Sequence, residues 1–328
     1  SITDAVYGIE VREYRQVYPI MQYFYCLNTT IQGNTLTDNG VGMLIRRSDF
    51  SFISNNTLYR NPLGICLQGT SFSVISRNVV VESDMNTTNP YHPDLRIFYY
   101  PEWPEEYSIE LGYGGRSPEI GGIYSGGTLN IVYGNTVMDS YMGISTVEKV
   151  SNYMGELNVI FHNNIINSTA PFQAMNWEMG GNHWDNGYPS GGNYWSNYNG
   201  TDFYGGQYRN ETGSDGLGDT AFWACLISRF EAVDNYPLVA PASTFDAGIW
   251  NGTSFNIDVS SNSTISAFQL DVAQETLSFN VTDGTGIGFC RVTIPNIIVE
   301  NLWQYNYTVL VDGEPPLEVR NWTDSLNT

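Results

Sequence analysis

The run Asp215-Gly-Leu-Gly-Asp219 sets two carboxylates four residues apart on a loop that glycine makes permissive, with Asp202 and Asp234 near it in the chain. Both side chains and the Leu217 carbonyl can turn toward one hard cation, with Asp202 or Asp234 completing the shell, so this spacing predicts calcium. Glu105, Glu106 and Glu110 are the one carboxylate cluster that could serve paired-acid glycoside hydrolysis. Tyr99, Tyr100, Trp103 and Trp184 offer flat rings that could carry a sugar, or could simply pack. The three histidines, His92, His162 and His183, are scattered, and the eight methionines show no MxxM spacing, so a soft-metal site is not predicted. Cys26, Cys66, Cys225 and Cys290 show neither CxxC nor a Cys/His cluster, which argues against zinc and against redox chemistry. In an oxidising compartment, sequence order favours Cys26 with Cys66 and Cys225 with Cys290, although order alone leaves other pairings open.

Modification chemistry is written more densely. Asn-x-Ser/Thr acceptors stand at Asn28, Asn55, Asn86, Asn167, Asn199, Asn210, Asn251, Asn262, Asn280, Asn306 and Asn321. A chain rich in Asn, Ser and Thr makes some such triplets by chance; Asn199, Asn210 and Asn251, in turn-rich stretches, are the foremost candidates for N-linked glycans. The 328 residues are 41% hydrophobic, which suits a globular chain, and carry a formal net charge of -21, which repels nucleic acid and anionic lipid. Only 14% of residues are charged, so amides, hydroxyls and sugars must supply the solubility. No apolar run reaches the roughly 18 residues of a membrane span, and Ser1-Ile2-Thr3-Asp4 is not a signal peptide, so the sequence reads as mature or trimmed.

The elements that must position these groups show in a repeat. At an offset of 22, Ile31-Gln-Gly-Asn34-Thr-Leu36 falls on Ile53-Ser-Asn-Asn56-Thr-Leu58 and on Ile75-Ser-Arg-Asn78-Val-Val80. Short alternating runs between Gly and Asn, without helical spacing, predict a right-handed parallel β-helix. Ile31, Ile53 and Ile75 then form one inward column, Leu36, Leu58 and Val80 another, and Asn34, Asn56 and Asn78 a ladder at a turn. Gly8-Ile-Glu-Val11 and Gly143-Ile-Ser-Thr146 read as further rung pieces, as do Asn135-Thr-Val137 and Asn163-Asn-Ile165. Asp38, Arg60 and Glu82 share a column about 4.8 Å apart per rung, read as an outward salt-bridge ladder because its neighbours are apolar or amide. Residues 84–127 read as a loop excursion and 180–240 as a terminal cap.

Gly191-Gly-Asn193-Tyr194-Trp195-Ser196-Asn197-Tyr198, Gly213-Ser-Asp215-Gly216-Leu217-Gly218-Asp219-Thr220 and Asp234-Asn235-Tyr236-Pro237-Leu238 resemble the end of NosD-like β-helix regions of archaeal surface proteins. The resemblance spans residues 1–240 and implies fold and location more than activity. Residues 241–328 read as an Ig-like β-sandwich with strands at 254–260, 264–270, 276–282, 288–294 and 307–312. Gly288-Phe-Cys-Arg-Val-Thr-Ile-Pro295 and Val309-Leu-Val-Asp-Gly313 resemble an archaeal extracellular domain. The expectation is therefore an all-β, extracellular or cell-surface glycoprotein, structural or adhesive rather than enzymatic. Its partners are copies of itself, joined by head-to-tail strand exchange into a filament or layer. The alternative is a polysaccharide-binding or polysaccharide-degrading β-helix protein.

Overall fold

A computed structural model describes residues 1–328 other than 4, 6, 12–13, 17–21, 25, 84–120, 147–156, 171, 177–180, 226–230, 283–287 and 326. Its first part is a parallel β-helix with three walls. One wall stacks Ile2–Thr3, Thr35–Thr37, Thr57–Tyr59, Val79–Val81, Thr136–Met138, Asn164–Ile166 and Tyr194–Trp195. The second stacks Thr30–Gln32, Phe52–Ser54, Val74–Ser76, Ile131–Tyr133 and Val159–Phe161, and the third runs from Tyr7–Val11 through Val41–Arg46, Leu63–Gln68 and Gly121–Gly126 to Ala174–Met175. The columns follow the 22-residue register: Ile53 lies between Ile31 and Ile75, and Leu58 between Leu36 and Val80. These side chains are buried and fill the rod. Gly121–Gly126, read from sequence as the end of the loop excursion, instead pairs with Leu63–Gln68 as wall; its glycines allow close approach, since a Cβ on Gly122 would lie 2.1 Å from Val137.

Between walls the chain turns at three left-handed columns. The first holds Asn28, Phe50, Phe72, Leu129 and Leu157, the second Gly33, Asn55, Arg77, Gly134 and His162, and the third Asp38, Arg60, Glu82, Asp139 and Asn167, all with φ between 52° and 69°. A left-handed residue interrupts the backbone ladder, and the residue after it must repair the loss. In the second column that repair is an asparagine. The backbone N and Nδ2 of Asn34 donate to Asn56 Oδ1, and the same pair of bonds repeats to Asn78, Asn135, Asn163 and Asn193 at 2.9 to 3.1 Å. Each Nδ2 from Asn56 to Asn193 also donates to a carbonyl of the preceding rung. A second ladder runs Ser51, Ser73, Asn130, Asn158, Asn182.

The second part is built of antiparallel strands. Ala242–Trp250, Thr253–Ser261 and Cys290–Thr293 form one sheet, and Thr264–Asp271 with Thr276–Thr282 the other. They enclose Phe255, Ile257 and Val259, plugged by a short π-helical turn at Ile298–Leu302. Two sequence expectations fail here. Ala242–Trp250 is a strand although Asp246 and Gly248 break its alternation, because the ladder shifts register between them. Tyr307–Asp312 is not a paired strand; only Val311 bridges, to Glu314. No helix of the described residues is long and apolar enough to cross a membrane.

The ladder makes a graded prediction. Asn135→Ala leaves the Asn78 amides and the Ile75 carbonyl buried without partners, and should cost about 2–4 kcal/mol. Asn34→Ala, at the partly exposed start, removes two donors and strands no comparable set, and should cost under about 1 kcal/mol. Urea titration midpoints of the two variants check the ordering.

Candidate functional site at the rod–sandwich junction

The asparagine ladder needs an acceptor at its end, and a carboxylate supplies it. Asn193 N donates to Asp234 Oδ2 at 2.6 Å, Trp195 Nε1 donates to the same oxygen at 2.8 Å, and Tyr236 N donates to Oδ1 at 3.0 Å. Asp234 is fully buried, and that burial pushes its carboxyl up to about 7 against the pull of the three donors. Trp184 and Trp195 close the core above it, with ring centroids 6.2 Å apart. Trp184 is 2% exposed, so it seals the rod and offers no platform to a sugar.

The other aspartates of this cap serve backbone amides too. Asp202 accepts from the Asp215 and Gly216 N–H groups, Asp219 from Phe203 and Tyr204, and Asp215 from Leu217 and Gly206. The loops therefore hold Asp215 and Asp219 apart, each facing its own turn. Among the described residues no three carboxylate, imidazole or thiol groups converge as a cation site, so the structure does not gather Asp202, Asp215, Asp219 and Asp234, expected to hold calcium with the Leu217 carbonyl, around one point. Burial raises the Asp215 carboxyl, opposed by the Leu217 amide and by Arg291.

Arg291 comes from the sandwich. It is half-buried, donates to the carbonyls of Asp215 and Pro189, and has its own pKa lowered by desolvation. Two residues of the second corner column reach the same sandwich sheet from the rod: Arg77 donates to Asn256 at 2.6 Å, and His162 Nδ1 lies 3.1 Å from Asp258 Oδ2. Burial works to raise the Asp258 carboxyl, but His162, Thr244 and Arg77 overcome it and hold it below the usual range. His162 Nε2 faces the Ser190 carbonyl at 2.9 Å. Both ring nitrogens thus lie against oxygen acceptors, one from the sandwich and one from the rod cap. Asn164 adds two bonds to the main chain of Ala242. The junction is a fastening between rod and sandwich; sequence reading missed it because His162, Arg77 and Arg291 are far apart in the chain.

Residues 3–99 match the family described as periplasmic copper-binding protein, NosD. The comparison with curated proteins and that with solved structures find no match. The NosD match covers the first rungs, while the motifs at 191–238 that carried the resemblance lie beyond it. Copper does not fit the described residues of this NosD-like rod. His162 is engaged at both nitrogens, and Met142 and Met175 are buried beside Tyr141 and Phe172, as core. His92, the carboxylates Glu105, Glu106 and Glu110, and the rings Tyr99, Tyr100 and Trp103 lie outside the described residues, as does Asn86. The outward column behaves as read from sequence at its start: Arg60 grips Asp38 through Nε and Nη2 at 2.6 and 2.5 Å, an Arg60 hydrogen bond that lowers the Asp38 carboxyl. The four cysteines named as disulfide candidates stand in different surroundings. Cys66 is buried with Val41, Leu44 and Leu63, whereas Cys26 begins a strand beside Ser48; Cys225 lies in the rod core and Cys290 on a sandwich strand opposite Ser261.

Two outcomes follow from the aspartates. A carboxyl raised from its unfolded value near 3.8 to about 7 stabilises the fold fully below 3.8 and loses that contribution as pH rises through 7. The thermal midpoint should therefore fall between pH 5 and pH 8.5, and Asp234→Asn should flatten that slope while lowering stability at pH 5 by about 1 kcal/mol, for the amide cannot accept all three N–H groups. Chelation with EDTA should leave the midpoint of the chain unchanged; a clear drop, restored by calcium, would return the cation to the cap loops.

Proposed function

We propose that this chain is an exported structural or adhesive protein, a rod with a sandwich fastened to its flank, that associates with copies of itself. The family's description as periplasmic supports a place outside the cytoplasm, and the acidic, amide-rich composition suits one. The observation that carries the self-association is the stretch Tyr307–Val311. Its sequence, Tyr-Thr-Val-Leu-Val, has strong strand preference, yet among the described residues the main chain of Thr308, Val309 and Leu310 has no hydrogen-bond partner. Both faces are open, with Val309, Leu310 and Val311 46%, 54% and 58% exposed. An unpaired strand of this kind adds to the sheet edge of another molecule. A second copy is a partner that is always present, and pairing of like with like supplies both edges.

The rival reading, a polysaccharide lyase or hydrolase, gains nothing from the cap aspartates Asp202, Asp215, Asp219 and Asp234, which accept backbone N–H groups. Light scattering of the purified chain should show multimers. Val309→Pro, which removes one ladder donor and twists the strand, should reduce them to monomers without lowering the thermal midpoint. A wild-type chain that stays monomeric at high micromolar concentration would overturn the strand-pairing proposal. Acidic and neutral glycans incubated with the same protein should keep their chain length; depolymerisation would favour the rival.

A further inference from the structure

The solenoid sorts its asparagines into two populations. All ten described Asn-x-Ser/Thr asparagines are exposed, whereas of the other twenty described asparagines only four are. The sorting has a geometric cause within the rod. A ladder asparagine is followed two positions later by an inward residue, as Asn56 is by Leu58 and Asn135 by Val137, so a Ser or Thr cannot stand there without entering the core. The residue just before the ladder sits in the left-handed corner and points outward. Asn55, with φ of 53°, shows the arrangement: its side chain is exposed while that of Asn56 is fully buried. Asn28 and Asn167 occupy left-handed positions in the other two columns. Each corner of the rod thus carries one acceptor. In the sandwich, Asn251 heads the Asn-Gly turn between Ala242–Trp250 and Thr253–Ser261, with φ of 49° followed by 78°.

The reactive atom divides the ten further. Asn167 Nδ2 donates to Asp139 Oδ1 at 3.1 Å and Asn321 Nδ2 donates to the Tyr307 hydroxyl. In the other eight, among the described residues, Nδ2 makes no hydrogen bond. We propose that these eight asparagines are N-glycosylated and that Asn167 and Asn321 are not. In each transfer Nδ2 attacks the anomeric carbon of a lipid-linked sugar phosphate held by a transferase. The N–C bond forms as the carbon–phosphate oxygen bond breaks, the phosphate leaves with the electron pair, and one amide proton passes to a base of the transferase. The sugars would lie at two corners of the rod, Asn28 and Asn55, on the cap at Asn199 and Asn210, and on the sandwich, supplying hydration that a surface poor in charge lacks. The proposal rests on the extracellular reading, since such donors are met on export.

The test is peptide mapping by mass spectrometry of the native protein from its source cells, with surface biotinylation of the same cells as an independent readout of location. The eight peptides should carry added hexose or hexosamine mass, and those with Asn167 or Asn321 none. Asn55→Gln and Asn251→Gln should each remove one increment from the intact mass, with an unchanged circular dichroism spectrum. A biotinylated protein with the eight peptides bare overturns this proposal alone; a protein that is both unlabelled and bare overturns it together with the extracellular reading. Modification at Asn167 or Asn321 equal to that of the eight overturns the selection by Nδ2.

Discussion

From Asn34 to Asn193, each corner amide oxygen after the first receives two N–H groups from the rung before it, and each amide hands two to the rung after it. The series ends on Asp234. The bonds to Oδ1 all point the same way, so each polarises the next, and the low dielectric of the core strengthens the chain. Such an array must end on an acceptor that offers no N–H of its own toward it. A further asparagine would only move the problem up one rung. Asp234 stops it, and the energetic tension of a buried carboxyl is the consequence: burial favours the neutral form while the three donors favour the charged one.

That array explains why the rest of the rod can be so uneven. Because backbone pairing at each turn is completed by a side chain inside, the left-handed residue just outside it is released from structural duty. Its conformation is fixed and its identity is not. The three columns accordingly present different surfaces: Phe50 stacks on Phe72 at 5.1 Å in the first, Arg77 and His162 grip the sandwich in the second, and Asp38 pairs with Arg60 in the third. What varies from column to column lies at the corners, and the walls are packing.

The inward columns and the first three ladder asparagines were legible because a strict 22-residue offset writes them in register. The continuation to Asn135 was legible only as an echo, since 57 residues separate it from Asn78. The aspartates were ambiguous for a physical reason: a carboxylate on a Gly-rich loop looks the same in sequence whether it faces a cation or two backbone N–H groups, and only the path of the loop decides. Tyr307–Asp312 misled differently. Alternation reports that a segment fits a sheet, and is silent on whether a neighbouring strand is present. The cysteines gave least, for their order along the chain carries no information on which walls they share.

One residue type does two opposed jobs in adjacent positions, and a shift of a single residue separates them. Asn56 turns inward because its Oδ1 and Nδ2 match the N–H and C=O that the corner leaves bare; a charged side chain there would be buried with too few partners. Asn55 turns outward because the left-handed backbone directs it so, and asparagine tolerates that conformation better than most residues. An aspartate in the ladder would lack the Nδ2 that serves the preceding rung, and a lysine at the corner would add charge without a turn preference. The same amide chemistry that holds the rungs together therefore also populates the surface. The abundance of asparagine in the rod therefore traces to the left-handed corner, whose outward position charged residues such as Asp38, Arg60 and Arg77 fill as well.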